Sequence, residues 1–189
     1  MALDKTTRRQ IVEAADLLFY HRGFERTSFA DIAAKVKISR GNFYHHFKSK
    51  DEILEAVIEL RLERTQEMLN NWESIGQNPA ERIGKFIQML IMNQAKIKLY
   101  GCPVGTLCTE LAKMDHASKS HANKLMNLFK TWLSRQFLAA GRKKDADELA
   151  MHLLSRSQGI ATLANTFHDE KFIKNEVRHM EDWLKAQIA

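Results

Sequence analysis

Apolar side chains recur along this chain at intervals of three and four residues and nowhere alternate at intervals of two. That is the period of a helix surface, not of a strand. Ile11, Ala14, Ala15, Leu18 and Phe19 fall at i, i+3, i+4, i+7 and i+8, one stripe on a helix over 4–22. Phe29, Ile32, Ala33 and Val36 repeat the pattern, and longer stretches of it predict helices over about 50–72, 79–98, 105–114, 118–140, 145–167 and 170–187. Only two prolines and eight glycines interrupt 189 residues, so little opposes helix. An all-α chain is expected, with no repeat and no low-complexity stretch.

The breaks between stripes are as informative as the stripes. Gly23 is placed to end the first helix, since glycine enters the left-handed conformation without steric penalty, and Phe24 to fold back into a core. Ser28 with Asp31 fits a capping box for a short second helix. The chain then turns at Lys37–Ile38, and Ser39 can cap a third helix over about 40–47. Two short helices joined by a tight turn form a helix-turn-helix candidate. Ser49 with Glu52 reads as another capping box, and Asn78–Pro79 as a cap followed by proline in the first helical position.

Charge is unevenly placed. Residues 1–50 hold ten Lys/Arg against five Asp/Glu, a net of +5, while the other 19 basic and 18 acidic residues net +1. Such a block suits a polyanion. It contains the stretch ISRGNFYHHFKSKDEI, residues 38–53. On a helix over 40–47, Phe43 and Phe47 point one way as anchors, leaving Arg40, Asn42, Tyr44 and His45 on other faces. Arg pairs with guanine and Asn with adenine in bidentate fashion, and Gly41 lets the backbone come close. Arg40, Gly41 and Asn42 are therefore the expected base contacts. Thr27, Ser28, Tyr44, His45, His46 and Lys50 are the expected phosphate or backbone contacts. Double-stranded DNA is the expected partner.

These residues carry a resemblance. GFERTSFADIAAKVKISRGNFYHHFKSKDEIL resembles the DNA-binding domain of the TetR family of bacterial transcriptional regulators, continuously from about Thr6 to Leu54. Tyr44, Phe47, Lys50 and Asp51 at these spacings are its specific part. Lys37 departs from it, because the family usually has glycine there; a distorted turn or an added phosphate contact would follow. The resemblance implies a homodimer with a three-helix helix-turn-helix domain (1–50) and a helical ligand-binding and dimerisation domain (51–189). It also implies a near-palindromic operator, read by recognition helices about one helical turn (~34 Å) apart. Most family members are repressors released by a small-molecule inducer.

The resemblance places dimerisation on the last two helices, where Leu149, Leu153, Ile160, Leu163 and Phe167, then Phe172, Met180 and Trp183, form apolar stripes. A ligand pocket should lie between the middle helices, with Met89, Met92, Leu107, Leu111, Met126, Phe129 and Trp132 as candidate lining, although ordinary core packing explains each equally well. GCPVGTLCTEL (101–111) resembles a Gly-Cys segment in a subset of the family, and Cys102 at a helix start would gain thiolate character. Cys102 and Cys108 are thus a possible redox pair, against the alternative of small residues at a tight helix entry. An electrophile-sensing regulator is the second reading of the function.

No His, Cys or acidic spacing indicates a metal, no cofactor is implied, and two cysteines make no disulfide framework. No acid–base pair, phosphate-binding glycine loop or nucleophile elbow supports an enzyme. No run approaches the ~18 to 20 apolar residues of a membrane span, and the opening MALDKTTRRQ lacks an apolar core. A soluble cytoplasmic protein is expected.

Overall fold

The computed structural model describes the backbone of residues 2–188 and the side chains of 6–39, 41–169 and 171–188. Among the described residues there are ten helices and no strand. They are α1 (Ala2–Arg22), α2 (Phe29–Val36), α3 (Arg40–His46), α4 (Lys50–Ile75), α5 (Pro79–Met92), α6 (Gln94–Tyr100), α7 (Pro103–Lys113), α8 (Lys119–Ala139), α9 (Ala146–Phe167) and α10 (Glu170–Gln187).

Residues 1–64 and 106–125 pack as one compact unit. The stripe of α1 is buried throughout, and Ile32, Phe43, Phe47, Ile53, Leu54 and Val57 meet it in a single core. Gly23 ends α1 at φ +90°, its N–H donating to Phe19 O at 3.0 Å. The expected capping box of α2 is present in both directions: Asp31 N–H donates to Ser28 Oγ (3.2 Å), and Ser28 N–H to Asp31 Oδ2 (2.9 Å). Ser39 caps α3 by accepting from Asn42 N–H at 3.3 Å. At α4 the box slips by one residue: Ser49 Oγ accepts from Glu52 N–H, but the Glu52 carboxylate takes the N–H of Lys48.

Two features of this unit escape sequence pattern. Arg61 is buried against Asp16, Nε to Oδ1 at 2.6 Å, tying α4 to α1, and Arg64 adds contacts to Glu13 and Asp16. The chain also returns after residue 105 to complete the core with Leu107, Leu111 and Ala122. In the turn before α8 His116 Nε2 lies 3.4 Å from Asp51, and on α8 His121 touches Glu55 and Glu59. Burial alone would raise the Glu55 carboxyl, but hydrogen bonds from Ser118 and His121 and the nearby imidazole charges hold it below the usual value.

Residues 65–105 and 126–189 form the second unit. Here α10 packs on α5 and α9, and α6 packs on α9. Ile83, Phe86, Ile87 and Leu90 of α5 are buried, Phe86 edge-on to Phe129 at 5.7 Å, and Trp72 meets Trp132 at 5.6 Å. The helix expected over 79–98 is two helices. Asn93 leaves helical geometry (φ −106°, ψ 8°) and its side chain donates to Met89 O, and α6 begins at the next residue. Among the described residues no helix is long and apolar enough to cross a membrane.

Candidate nucleic-acid interface

α3 has seven residues and ends at His46, one short of the expected 40–47; Phe47 follows as its extended C-cap, with its N–H on Phe43 O. Phe43 and Phe47 are each 1% exposed, with Phe43 edge-on to Phe29 at 5.1 Å and Arg8 of α1 stacked 4.6 Å above the Phe47 ring. A seven-residue helix would be marginal by itself; this anchoring fixes its rotation. The opposite face is therefore determined. Gly41, Asn42, Tyr44 and His45 are exposed in sequence, and His46 is half-buried beside His45. A Cβ built on Gly41 would meet nothing within 4 Å, so the backbone is open to close approach. Arg40 opens α3, but its side chain lies outside the described residues.

Ser28 and Tyr44 line one shallow cleft of about 330 Å³, with Phe29, Ala30, Ala33 and Phe43. The Tyr44 ring rests edge-on against Phe29 at 5.5 Å and stays about half exposed. Two expected DNA contacts are placed elsewhere. Thr27 is 1% exposed, and its hydroxyl donates to Gly23 O at 2.8 Å, closing the turn before α2; it is a core residue and not a surface contact. Lys50 Nζ donates to Phe24 O (3.2 Å) and Glu25 O (3.3 Å) and sits 4.2 Å above the Phe24 ring. Its charge holds a turn together.

Lys37 occupies the left-handed region (φ 59°, ψ 42°) with its N–H donating to Ala33 O and Ala34 O. The turn is not distorted: lysine takes the conformation that glycine would take. The Asp31 carboxyl is held below its ordinary 3.8 by hydrogen bonds from the Ser28 hydroxyl and backbone, and by Arg22.

The candidates in the rest of the chain divide. Leu107 and Leu111 are buried in the core of the first unit. Met92 is 81% exposed, because α5 ends there and not at 98. Phe129 and Trp132 are buried against Phe86 and Trp72, while Met89 and Met126 are half-buried. Of the expected dimer residues, Leu149, Leu153, Ile160 and Met180 are buried inside the chain's own core, and Phe172 and Trp183 are half-buried. Leu163 and Phe167 are exposed, Phe167 at 71%. Met151, Ser155 and Gly159 of α9 are exposed as well. Cys102 Sγ accepts from Gly105 N–H (3.4 Å) at the start of α7, and Cys108 Sγ donates to Ala122 O (3.5 Å); the two fall in different packing units.

A short helix anchored by two phenylalanines, with an open polar face and a tight turn before it, defines a helix-turn-helix DNA-binding protein. Family comparisons are specific. Residues 11–57 match the bacterial regulatory proteins of the TetR family, and residues 79–179 match the C-terminal domain of LmrA/YxaF-like transcriptional regulators. The chain belongs to the TetR family. An HTH-type transcriptional regulator from Lactococcus lactis subsp. lactis is 33% identical over 113 residues, 59% of this chain and 58% of the relative. The regulator TtgR of Pseudomonas putida is 47% identical over 53 residues, 28% of this chain and 25% of the relative. The chain thus matches less than two thirds of either relative's length. A TetR transcriptional regulator from Chloroflexus aurantiacus shares the fold at a TM-score of 0.88 and 19% identity, over 100% of this chain and 98% of that one.

Proposed function

We propose that this protein is a cytoplasmic, homodimeric repressor that binds a near-palindromic operator and releases it when a small molecule binds the C-terminal domain. The carrying observation is the fixed outward face of α3, opposite Phe43 and Phe47. In this reading Arg40, Gly41 and Asn42 approach base edges in the major groove. Ser28, Tyr44, His45 and His46 contact phosphates and set the register. Residues 1–50 read DNA, and 51–189 hold the sensor and dimer contacts.

The dimer reading rests on the exposed face of α9. Met151, Ser155, Gly159, Leu163 and Phe167 follow one another at four-residue steps along one side. Small residues at its middle allow a second helix to come close, and apolar residues at both ends supply area to bury. A two-fold pair of such faces is self-complementary.

The test selects duplexes from a random-sequence pool with the purified protein and measures binding at two salt concentrations. A selected sequence with two-fold symmetry and a strong salt dependence supports the reading. Asn42→Ala should relax the preference at one position of each half-site by roughly 1–3 kcal/mol. Selection of no sequence would overturn it.

A second reading has one observation in its favour. Cys102 stands at the start of α7, its sulfur accepting from Gly105 N–H. Sensing of an electrophile would then replace reversible binding. Cys102→Ser separates the two: it abolishes release by an electrophile and leaves release by a reversible ligand intact.

A further inference from the structure

The turn between α1 and α2 is held by charged side chains that come from outside the helix-turn-helix. Its polar backbone groups need partners. Gly23 O accepts from Thr27 Oγ1, and Phe24 O accepts from Thr27 N–H and Lys50 Nζ. Glu25 O also accepts from Lys50 Nζ. Two further N–H groups go to one carboxylate on α7. Phe24 N–H donates to Glu110 Oε2 and Glu25 N–H to Glu110 Oε1, each at 2.9 Å. Gly23 is part of the same fit: a Cβ there would lie 2.9 Å from Glu110 Oε1, and its φ of +90° already excludes most residues.

We infer that Glu110 is a positioning residue for operator binding, acting through the N–H groups of Phe24 and Glu25 to fix the turn from which α2 and α3 depart. The inference rests on the DNA-reading proposal above. Its physical basis is that a hydrogen bond from a backbone N–H to a carboxylate is roughly twice as strong as a neutral one and is directional. Two on one group fix the orientation of the turn, three residues before Ser28 caps α2. Glu110 is carried by the part of α7 that packs in the first unit, with the turn it binds.

The experiment uses the full chain, Glu110→Gln and Glu110→Ala. Each is measured against a duplex that the wild-type protein selects from a random pool and against a scrambled duplex of equal length. Amide exchange at Phe24 and Glu25 is followed in parallel, and thermal melting reports folding. Glutamine keeps one acceptor and turns an amine toward the other N–H. Glu110→Gln is expected to lose about tenfold on the selected duplex, change less than about twofold on the scrambled one, and exchange faster at the two amides with folding retained. Equal losses on both duplexes would make Glu110 a general structural residue and overturn the inference. So would faster exchange with selected-duplex affinity unchanged. A wild-type protein that selects no sequence removes the DNA-reading proposal, and this inference with it. The wild-type control distinguishes that failure from the other two.

Discussion

α3 and α9 are opposite cases of a helix read from its sequence. α3 is seven residues long and is held by two buried aromatics, Phe43 within it and Phe47 at its C-cap. Only one orientation buries that pair, so the outward face follows. α9 is 22 residues long and apolar on two sides. Leu149, Leu153 and Ile160 point into the chain's own core, while Met151, Leu163 and Phe167 are exposed. A helical period says that a face exists. It names the face that turns inward only when the other side is polar.

The sharpest way to break that contrast is to shorten one aromatic on each helix. Phe43→Ala leaves a cavity in a closed core and should cost about 3–5 kcal/mol, enough to unfold much of the first unit in a urea titration. Phe167→Ala removes an exposed ring and should change monomer stability by less than about 0.5 kcal/mol. Its effect should appear in sedimentation, as weaker self-association. If Phe167→Ala unfolds the chain instead, the exposed face of α9 is not the free surface described.

Asp16→Ala tests a contact that no period reveals. It leaves Arg61 buried without its carboxylate, and a loss of about 3 kcal/mol is expected from chemical denaturation. Asp16 and Arg61 lie 45 residues apart on helices whose visible signal is their apolar stripes. A charge at the edge of a stripe looks like any solvated charge until its partner is placed.

Ser28, Asp31 and Ser39 were legible because capping is local, spanning three or four residues and using one backbone geometry. Thr27 and Lys50 have the right chemistry at the right place for phosphate, yet both bind the turn after Gly23. The competing acceptors are main-chain carbonyls, and sequence does not show where those point. Sequence did not show that Leu107 and Leu111 join the core of the first unit, because they follow its other core residues only after a long intervening stretch of chain. Asn93 breaks a helix without proline or glycine, through its own side chain.

Smaller effects test the local devices. Ser28→Ala should cost about 1 kcal/mol through loss of the cap. The Asp31 half of the box adds a pH dependence of known sign. Its folded-state pKa lies below 3.8, so its contribution is present above that value and is lost as pH falls through the folded one. Acid titration of the melting temperature should therefore show a steeper fall below about pH 4 in the wild type than in Asp31→Asn. Parallel curves would mean that the box is not formed in solution.

Lys37 makes the finest distinction, because it joins fold and function at one residue. A lysine at φ 59° carries a steric penalty that glycine does not, partly offset by the greater unfolded-state entropy of glycine. Lys37→Gly should therefore stabilise the first unit by about 0.5–1 kcal/mol. Lys37→Asn also tolerates the left-handed conformation and removes the same charge, so it should be close to neutral in stability. If the lysine also touches a phosphate, both variants lower the slope of log affinity against log salt by about one. If it does not, both leave the slope unchanged, and only Lys37→Gly gains stability. The exposed side chain and the strained backbone are thus separable by two substitutions and two measurements. A gain in stability with an unchanged slope would mean that lysine stands here at the expense of the turn, with no return from DNA.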